Sequence, residues 1–399
     1  MSERSGFQVP DHVRPIRDAV RAFMVDHVEP AEGVLHEGGS AAATLMGELQ
    51  ARAKAEGLWA LGHPTELGGG GMDFLDYVYV NEVQGRSEYG QIALGTYTLQ
   101  DSLMLHAHAN PGQRERWLRP LVAAEISPSF AMTEPEVASS DPTQLRTTAV
   151  LDGGEWVING RKWFTTGASR AAYTTVMVRT EPEAPDHRAF SMIIVPTDTP
   201  GYTIVRETPV LGIRGGHCEV AYDEVRVPAD HLLGERGRGF AIAQERLGPG
   251  RIFHAMRWLG QAQRAFDLLC DRLVHREAFG GPLADKQLMQ QHVFDSYAQI
   301  QACRLLTLHA AEAVDRGGDA RVEIGAVKVV GARMLHDVID RAVQAHGAAG
   351  LTDDTPLSHM YRTARFARIY DGPDEVHVQS VARRLLASYS DGDSWSFAG

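Results

Sequence analysis

The sequence predicts a mostly α-helical α+β fold in three consecutive parts: a helical domain over residues 1–128, a β-domain over residues 129–238 and a helical bundle over residues 239–399. Two observations indicate this order. In the first and last parts, apolar residues recur at the spacing of an amphipathic helix. In the middle part, short β-rich runs are separated by Gly, Pro, Asp and Asn, as between strands of an antiparallel sheet.

The helical period of the first part is carried by two groups of apolar residues and ends at a glycine-rich break. The groups are Val20, Phe23, Met24 and Val28, then Leu45, Leu49, Ala53 and Leu58. Spacings of three and four residues place the members of a group on one helical face. The turn around Pro64 and the four glycines of Gly68–Gly71 interrupt this pattern, because glycine and proline are the strongest local breakers of regular structure.

The other two parts are divided by their apolar runs in the same way. Six runs predict strands: Ala149–Leu151, Glu155–Ile158, Tyr173–Val178, Phe190–Val195, Tyr202–Val205 and Glu219–Tyr222. After Gly239 the helical period returns and continues to about Leu386. Its long segments predict helices over Arg251–Phe279, Leu288–Asp315 and Ala320–His346.

The composition is that of an acidic globular protein with free thiols. The 399 residues carry a net charge of -12, so no overall positive field attracts a nucleic-acid backbone or an anionic membrane. Cys218, Cys270 and Cys303 are far apart and odd in number, which favours thiols in a reducing compartment. No apolar run approaches the ~20 residues that span a bilayer, and the start lacks a signal-peptide core. We expect a cytoplasmic protein that binds neither nucleic acid nor membrane.

The sequence lacks the common phosphate-binding and metal-binding motifs. It has no GxGxxG after a strand, no Walker loop, no HExxH and no GxSxG. The phosphates of a bound nucleotide would therefore be met by Arg side chains or helix N-termini. No metal site is predicted.

The segment Phe130–Asp141 contains Thr-Glu-Pro, a turn of small residues and Ser-Asp. It resembles the signature of acyl-CoA dehydrogenases, with one extra residue in the turn. Such a turn can direct backbone N–H groups and hydroxyls at the polar edge of a flat ring. The resemblance implies FAD as the cofactor, bound by Phe130, Met132, Thr133, Ser139 and Ser140.

A second segment of the same kind lies at Asn159–Gly167. In the family, its Trp covers the isoalloxazine ring and the following Thr hydrogen-bonds flavin N5, so by position these roles fall on Trp163 and Thr165. Alone, the segment is more typical of a β-hairpin with a core Trp. Beside the first signature, the flavin role is favoured.

Further segments resemble the family in order along the chain. They are His63–Gly69, Leu211–Arg214, Glu224–Pro228, Arg276–Gly280 with Leu283 and Gln287, Gln344–Gly350 and Tyr370–Glu375. The resemblance implies the acyl-CoA dehydrogenase fold, with a C-terminal four-helix bundle. In this family one subunit meets the FAD of its neighbour around Arg276–Gly280, so a homodimer or homotetramer is expected. The implied FAD contacts of these later segments are Arg276, Phe279, Gln287, Gln344, Gly347, Pro373 and Glu375.

The loop Ile369–Glu375 carries the candidate catalytic base. Family members remove the α-proton with a Glu at this place, whereas this chain has Asp371, one methylene shorter. A misplacement of ~1 Å can cost about a hundredfold in rate, so the loop must compensate. Pro373 fixes φ and could hold the loop closer to the substrate. Out of context, an Asp before Gly is most often a turn former.

Some relatives place the base on the long helix instead, just before an Arg that aligns with Arg251. That position is Gly250, so no alternative base is present there. Arg251 is interpreted as the partner that orients Asp371 or favours its charged form. The substrate contacts implied by the resemblance are Ser140, Arg246, Arg251, His254 and Gly372.

The stretch Gln244–Arg257, together with the loop of Asp371, resembles a divergent branch of the family. That branch is found fused to kinase-like domains and is linked to 4-hydroxyacyl-CoA metabolism. The resemblance implies FAD-dependent conversion of an acyl-CoA to the trans-2-enoyl-CoA, with electron-transferring flavoprotein as electron acceptor. His254 lies on the same helical face as Arg251. It either meets an oxygenated acyl chain or is satisfied within the protein.

Two other functions on the same fold stay open. One is a flavin oxidase acting on acyl-CoA or nitroalkanes, since nitroalkane oxidases also use an Asp base. The other is a non-catalytic flavin or nucleic-acid binding protein, against which the acidic composition weighs.

Overall fold

The structure is a computed structural model that describes residues 8–392, so residues 1–7 and 393–399 of the predicted first and last domains lie outside the described residues. Helices occupy both ends of the sequence, as predicted. They are α1 (Arg14–Phe23), α2 (Glu29–Glu37), α3 (Gly39–Ala55), α4 (Phe74–Gln84), α5 (Gly90–Ala93), α6 (Leu99–His108), α7 (Pro111–Gln113), α8 (Arg119–Val122), α9 (Gly239–His275), α10 (Gln287–Asp315), α11 (Arg321–His346), α12 (Leu357–Ala364) and α13 (Asp374–Ser390). Among the described residues, no helix is long and apolar enough to cross a membrane.

Strands occupy the middle of the sequence, and each of the six predicted strands is present with extended ends. They are β1 (Pro128–Ala131), β2 (Thr148–Asp152), β3 (Glu155–Thr166), β4 (Tyr173–Arg179), β5 (Phe190–Pro196), β6 (Tyr202–Glu207), β7 (His217–Pro228) and β8 (Leu232–Leu233), with β9 (Glu277–Ala278) and β10 (Gly281–Pro282) as a separate hairpin. The short strands β1 and β8 were not part of the prediction. Strand β4 is buried at all but its last residue, which explains why its sequence does not alternate between apolar and charged residues.

The large sheet is mixed, which corrects the expectation of a purely antiparallel sheet. Its strand order is β6-β7-β3-β2-β4-β5-β8, and β1 pairs with β4. The β1–β4 pair is parallel, with Phe130 opposite Thr175. Parallel neighbours need a long crossover connection, and the chain between them, which forms β2 and β3, provides it. The sheet therefore places the start of the Phe130–Asp141 segment inside the β-structure.

The core of the β-region lies on one face of this sheet. Ile158, Val176, Ile193 and Val220 come from four strands and are fully buried together. Alternate residues of a strand point to the same face, so Trp156, Ile158 and Lys162 of β3 share this buried side.

The long helix α9 differs from its predicted span at both ends. It begins at Gly239 and includes Pro249, although proline removes one hydrogen bond from a helix. It ends at His275, before the predicted end at Phe279. Phe279 and Gly280 have φ of 52° and 79°, and left-handed backbone of this kind does not continue a helix. The β9–β10 hairpin forms there instead.

The chain divides into two compact units. Among the described residues, the first unit comprises residues 8–62, Met72–Leu94 and residues 248–392, and the second comprises His63–Gly71 and Gly95–Leu247. Helices from both ends of the sequence therefore belong to the first unit, while the large sheet belongs to the second. The boundaries at residues 128 and 238 stay a prediction.

Within the first unit, α9 approaches the C-terminal end of α4 closely, at Gly85 after α4 and Gly260 in α9. A Cβ atom on Gly260 would lie 2.0 Å from the carbonyl oxygen of Glu82, and one on Gly85 would lie 2.3 Å from Cα of Arg257. Two helices can pack this closely only without side chains at the crossing. The glycine pair thus sets the position of α9, which carries Arg251 and His254.

We expect Gly260→Ala to destabilise the protein by about 1–3 kcal/mol or more, because the added methyl overlaps main-chain atoms of α4. Gly47→Ala in the interior of α3 is the matched control, since nothing beyond its chain neighbours and its own helix lies within 4 Å of its Cβ position. There the alanine should stabilise by up to about 1 kcal/mol through its helix propensity. Thermal unfolding of both variants measures the effect, and equal shifts in Tm would contradict the close approach.

Candidate active site

The backbone at Asp371 is left-handed. Asp371 has φ of 54° and Gly372 has φ of 98°, between the turn that ends at Arg368 and the start of α13. Asp is one of the few residues with a Cβ that adopts this conformation, because its short side chain bonds locally. A Cβ on Gly372 would lie 2.8 Å from Nε2 of His377, so only glycine fits there.

Three buried or half-buried donors hold the carbonyl groups of this turn. Nε and an Nη of Arg251 donate to the carbonyl oxygen of Asp371 at 3.2 and 3.1 Å, and Nε2 of His377 lies 3.1 Å from the same oxygen. Nζ of Lys328 donates to the carbonyl oxygen of Gly372 at 3.1 Å. Hydrogen bonds from charged donors are stronger than neutral ones. They fix the two successive carbonyl groups that follow the Cα atom of Asp371.

The carboxylate itself is contacted by His254. Nε2 of His254 lies 3.1 Å from Oδ2 of Asp371, and Nη2 of Arg257 donates to Nδ1 of His254 at 2.8 Å. An arginine N–H can only donate, so Nδ1 is the acceptor and the proton of neutral His254 is on Nε2. That proton faces the Asp371 carboxylate. Arg251 thus orients Asp371 through its main chain, and His254 contacts the side chain.

His254 is held in its neutral form. Burial lowers its pKa, and the charge of Arg257 lowers it further, against the opposing effect of Asp371. Its ring also lies 4.9 Å from the ring of Tyr370, whose hydroxyl accepts a 2.8 Å hydrogen bond from Nε1 of Trp258. Asp371 is therefore next to a neutral donor, which leaves the charge of the carboxylate intact.

In the second unit, the Phe130–Asp141 and Asn159–Gly167 segments are joined to each other. The backbone N–H of Trp163 donates to the carbonyl oxygen of Thr133 at 2.9 Å. Strand β3 has a register shift between Lys162 and Thr165, and Phe164 has a φ of 50°. An irregularity of this kind redirects side chains and is common beside functional sites. The structure thus brings together Met132, Thr133, Trp163 and Thr165.

A buried ion pair supports this junction. Nζ of Lys162 lies 2.9 Å from Oε1 of Glu134 and donates to the carbonyl oxygen of Met132 at 2.9 Å. Glu134 also accepts from the backbone N–H groups of Arg146 and Thr147, at 2.6 and 2.9 Å. Burial lowers the pKa of Lys162 to about 8, against the pull of Glu134. The Lys162–Glu134 pair thus fixes the Phe130–Asp141 segment just before its turn of small residues.

Two polar atoms at this junction could hydrogen-bond to the polar edge of a bound flat ring. Among the described residues, Oγ1 of Thr165 and Nε1 of Trp163 are buried and have no hydrogen-bond partner. Buried polar groups without partners are uncommon in folded proteins, and a missing ligand is one explanation. Because both atoms are closed to solvent, such a contact requires the neighbouring side chains to shift slightly.

Among the other residues of the second unit that were predicted to contact cofactor or substrate, some already contact other protein groups. Oγ of Ser139 accepts a 2.9 Å hydrogen bond from the N–H of Glu134, which closes the turn, while Ser140 is exposed. The guanidinium of Arg246 lies 4.4 Å from the ring centre of Phe130. Arg246 also donates twice to Asp101, at 3.1 Å each. Arg246 thus lies beside the first strand of the signature.

Most of the FAD contacts predicted in the later segments lie on the surface of the first unit. Exposed positions are occupied by Arg276, Phe279, Gln287, Gln344 and Gly347. Phe279 is 99% exposed, which is unusual for so large an apolar side chain. Pro373 is the residue before α13, and Glu375 is exposed in the first turn of that helix.

Several residues that support the candidate site were missed by sequence reasoning. They are Arg257, Lys328, His377, Lys162 and Asp374. The signal was present for Lys162, which alternates with buried Trp156 and Ile158 along β3. Lys328 is likewise buried in α11, on an otherwise apolar face. A charged residue at a core position of a periodic pattern indicates a buried partner.

Asp374 is a second carboxylate of the same loop with a different role. It is 2% exposed and accepts from Nε of Arg368 at 2.9 Å and Nε of Arg333 at 3.3 Å. It also lies in the first turn of α13, where the helix dipole favours negative charge. Asp374 therefore secures the start of α13.

Models of all three domains of one family match along this chain. The acyl-CoA dehydrogenase N-terminal domain matches residues 10–125, the middle domain residues 129–225 and the C-terminal domain residues 237–386. Together these matches include nearly all the elements and all the candidate residues described above.

Individual relatives are similar over nearly the whole chain. FadE2 of Mycobacterium tuberculosis, described as a probable acyl-CoA dehydrogenase, is 46% identical over 387 residues, which cover 93% of this chain and 94% of that protein. Acyl-CoA dehydrogenase family member 11 of Rattus norvegicus is 40% identical over 387 residues, covering 92% of this chain and 49% of that protein, so the chain spans about half its length. The solved structure of a Mycobacterium abscessus protein assigned to the acyl-CoA dehydrogenases has a TM-score of 0.90 at 39% identity and covers 96% of this chain and 100% of that one.

The pKa of His377 makes stability depend on pH. Burial and the charge of Arg251 lower this pKa to about 4, from about 6.5 in an unfolded chain. Between these values the unfolded chain binds a proton that the folded protein does not, so stability falls as pH drops from 6.5 to 4. We expect His377→Gln to flatten this part of the curve of Tm against pH. The same slope in wild type and variant would contradict the lowered pKa, and His275→Gln on the exposed end of α9 is the control.

Proposed function

The chain belongs to the acyl-CoA dehydrogenase family of FAD-dependent oxidoreductases, and from that premise we propose that Asp371 removes the α-proton of its acyl-CoA substrate. The observation that carries this proposal is the arrangement around the carboxylate. Arg251 and His377 hold its main chain, and His254 lies 3.1 Å from Oδ2. A general base must be both oriented and ionised to accept a proton.

The charges around Asp371 favour the ionised form. Arg251, Arg257 and Lys328 each interact electrostatically with it. Neighbouring positive charge stabilises a carboxylate and disfavours its protonation. Nε2–H of neutral His254 faces Oδ2 of Asp371 at 3.1 Å, so His254 orients the carboxylate without supplying a competing acidic proton. We assign to His254 the role of a positioning residue.

The proposed reaction is an α,β-dehydrogenation. Asp371 accepts the α-proton as the Cα–H bond breaks, and its backbone N–H helps to polarise the thioester carbonyl, as in the family. The β-hydrogen leaves as hydride and the trans-2-enoyl-CoA remains. When bound, FAD supplies the acceptor for that hydride. Electron-transferring flavoprotein is the proposed acceptor of the two electrons.

The proposed FAD contacts are the joined segments of the second unit and the exposed positions of the first. The first set is Phe130, Met132, Thr133, Ser139, Ser140, Trp163 and Thr165. The second set is Arg276, Phe279, Gln287, Gln344, Gly347, Pro373 and Glu375. The unpartnered Oγ1 of Thr165 and the fully exposed ring of Phe279 support these assignments. Because a contact from Phe279 to another subunit would cover its ring, a homodimer or homotetramer is part of the proposal.

The preferred substrate is proposed to be a 4-hydroxylated acyl-CoA, on the resemblance of Gln244–Arg257 to that branch. The contact to the 4-oxygen is not assigned to His254, because its Nδ1 accepts from Arg257 and its Nε2 faces Asp371. Ser140, Arg246, Arg251 and Gly372 remain the proposed substrate contacts. A panel of acyl-CoA thioesters, with and without a 4-hydroxyl, tests the preference by the rate at which flavin absorbance bleaches without oxygen.

Reoxidation distinguishes the proposed dehydrogenase from an oxidase. Stopped-flow mixing of the reduced protein with oxygen alone should give slow reoxidation, and mixing with electron-transferring flavoprotein should give fast reoxidation. Rapid reoxidation by oxygen alone would contradict the dehydrogenase proposal and favour an oxidase.

Asp371→Asn should lower the bleaching rate by about 10²–10⁴-fold, the contribution of a general base. Asn tolerates the left-handed backbone, so the turn and the bound FAD should be retained. Asp371→Glu restores a carboxylate and should recover part of the rate. FAD absorbance and stopped-flow bleaching measure both effects, and unchanged turnover in Asp371→Asn sinks the assignment of the base.

His254→Ala should lower kcat by about a hundredfold with little change in KM, because a displaced carboxylate costs about this much. His254→Gln keeps an N–H donor and should retain most of the activity. If Ala and Gln variants behave alike, His254 acts only in packing.

A further inference from the structure

A second cluster of side chains lies in the first unit, apart from the candidate active site. It consists of His36 in α2, Glu88 between α4 and α5, and His359 in α12. One donor atom from each residue lies within 4.8 Å of the others. We propose that these three residues bind a divalent transition-metal ion of the Zn²⁺ or Ni²⁺ kind.

The donor set suits such an ion. Imidazole nitrogen is a preferred ligand of Zn²⁺ and Ni²⁺, and a carboxylate oxygen completes many such sites. At bond lengths of about 2.1 Å, two ligands of a tetrahedral or octahedral ion are about 3.0–3.4 Å apart. Nε2 of His36 lies 3.2 Å from Oε1 of Glu88, within this range. His359 contacts the same oxygen more closely, so it moves outward slightly to admit the ion.

The cluster is open enough for an ion to enter with its water molecules. The side chains of His36, Glu88 and His359 are 29%, 36% and 17% exposed. Water can therefore occupy the coordination positions that the protein leaves open. Such a site lowers the cost of dehydrating the ion, since three protein ligands replace only part of its hydration shell.

The charges nearby do not oppose a cation. Arg86 and Arg264 line the same small cleft, but both are neutralised. Arg86 is paired with Glu29 and Asp267, and Arg264 with Glu32 and Glu29. Carboxylates thus outnumber guanidinium groups around the cluster.

The competing explanation of the cluster is that His36 and His359 both pair with the Glu88 carboxylate and no metal ion is bound. The rings of His36 and His359 lie 4.0 Å apart and tilted by 35°, an arrangement that a carboxylate can hold without an ion. Two imidazoles on one carboxylate oxygen repel each other when both are protonated. An ion removes that repulsion, because it binds both rings in their neutral form.

Metal binding would cross-link parts of the chain that are far apart in sequence. His36 in α2 is 52 residues from Glu88, and His359 in α12 is 271 residues from it. The ion would therefore join both helices to the segment after α4. An ion that binds only the folded protein raises its stability with the logarithm of the free ion concentration above Kd. The role is structural and independent of the proposed function, because none of the three residues is part of the Asp371 arrangement.

The test uses the full-length holoenzyme after treatment with a chelator and dialysis. Zn²⁺ or Ni²⁺ alone is titrated by calorimetry, and Tm is measured with and without the ion. We expect one equivalent per chain and a higher Tm with metal. His36→Gln, His359→Gln and Glu88→Gln should each weaken binding by more than the ~10–100-fold that loss of an outer-shell partner costs. His275→Gln is the matched control, since the exposed His275–Asp271 pair offers only two donors.

A second readout separates the site from adventitious binding and from misfolding. Co²⁺ gives visible absorption bands that depend on nitrogen and oxygen ligands, and these bands should vanish in each of the three variants while circular dichroism is unchanged. The absence of a stoichiometric site in wild type overturns the proposal. So does binding that persists in any of the three variants.

Discussion

The turn at Asp371 and Gly372 is the constraint on which the candidate active site depends. Its left-handed backbone is sparsely populated by residues other than glycine, so it persists only where the surroundings fix it. Arg251, His377 and Lys328 provide that support by hydrogen bonds to two successive carbonyl groups. Because those donors come from α9, α13 and α11, the packing of three helices decides where the carboxylate lies.

The same arrangement explains how a shorter acid can still be directed. An Asp side chain has fewer rotatable bonds than a Glu, so its position follows the main chain more closely. The main chain is fixed at the carbonyl groups of Asp371 and Gly372, and the remaining freedom of the carboxylate is restricted by Nε2 of His254. Arg257 selects the tautomer that makes this contact. The orientation therefore passes from Arg257 through His254 to Asp371, along one face of α9.

A buried lysine supports the functional segment in each unit. Lys328 donates to carbonyl oxygens of the Asp371 loop, and Lys162 donates to the carbonyl oxygen of Met132. In both cases burial lowers the lysine pKa to about 8. Burying a charge is costly unless it is paired and hydrogen-bonded. Lys162 is paired with Glu134 and donates to the carbonyl oxygen of Met132, whereas Lys328 donates to the carbonyl oxygens of Ala367 and Gly372. These contacts tie a loop to a helix or strand.

The sequence by itself determined the order of helices and strands, the family resemblance and the place of Asp371, because these follow from periodicity and from contiguous motifs. It did not determine the parallel β1–β4 pair, the unbroken passage of α9 through Pro249 or the partner of the carboxylate. Those features depend on residues that approach only when the chain is folded: Arg257 and His254 act on a loop more than a hundred positions away, and His36, Glu88 and His359 share no local motif. Spacing along the chain reports local conformation, whereas the hydrogen bonds that orient a carboxylate are set by helix packing, which tertiary structure alone decides.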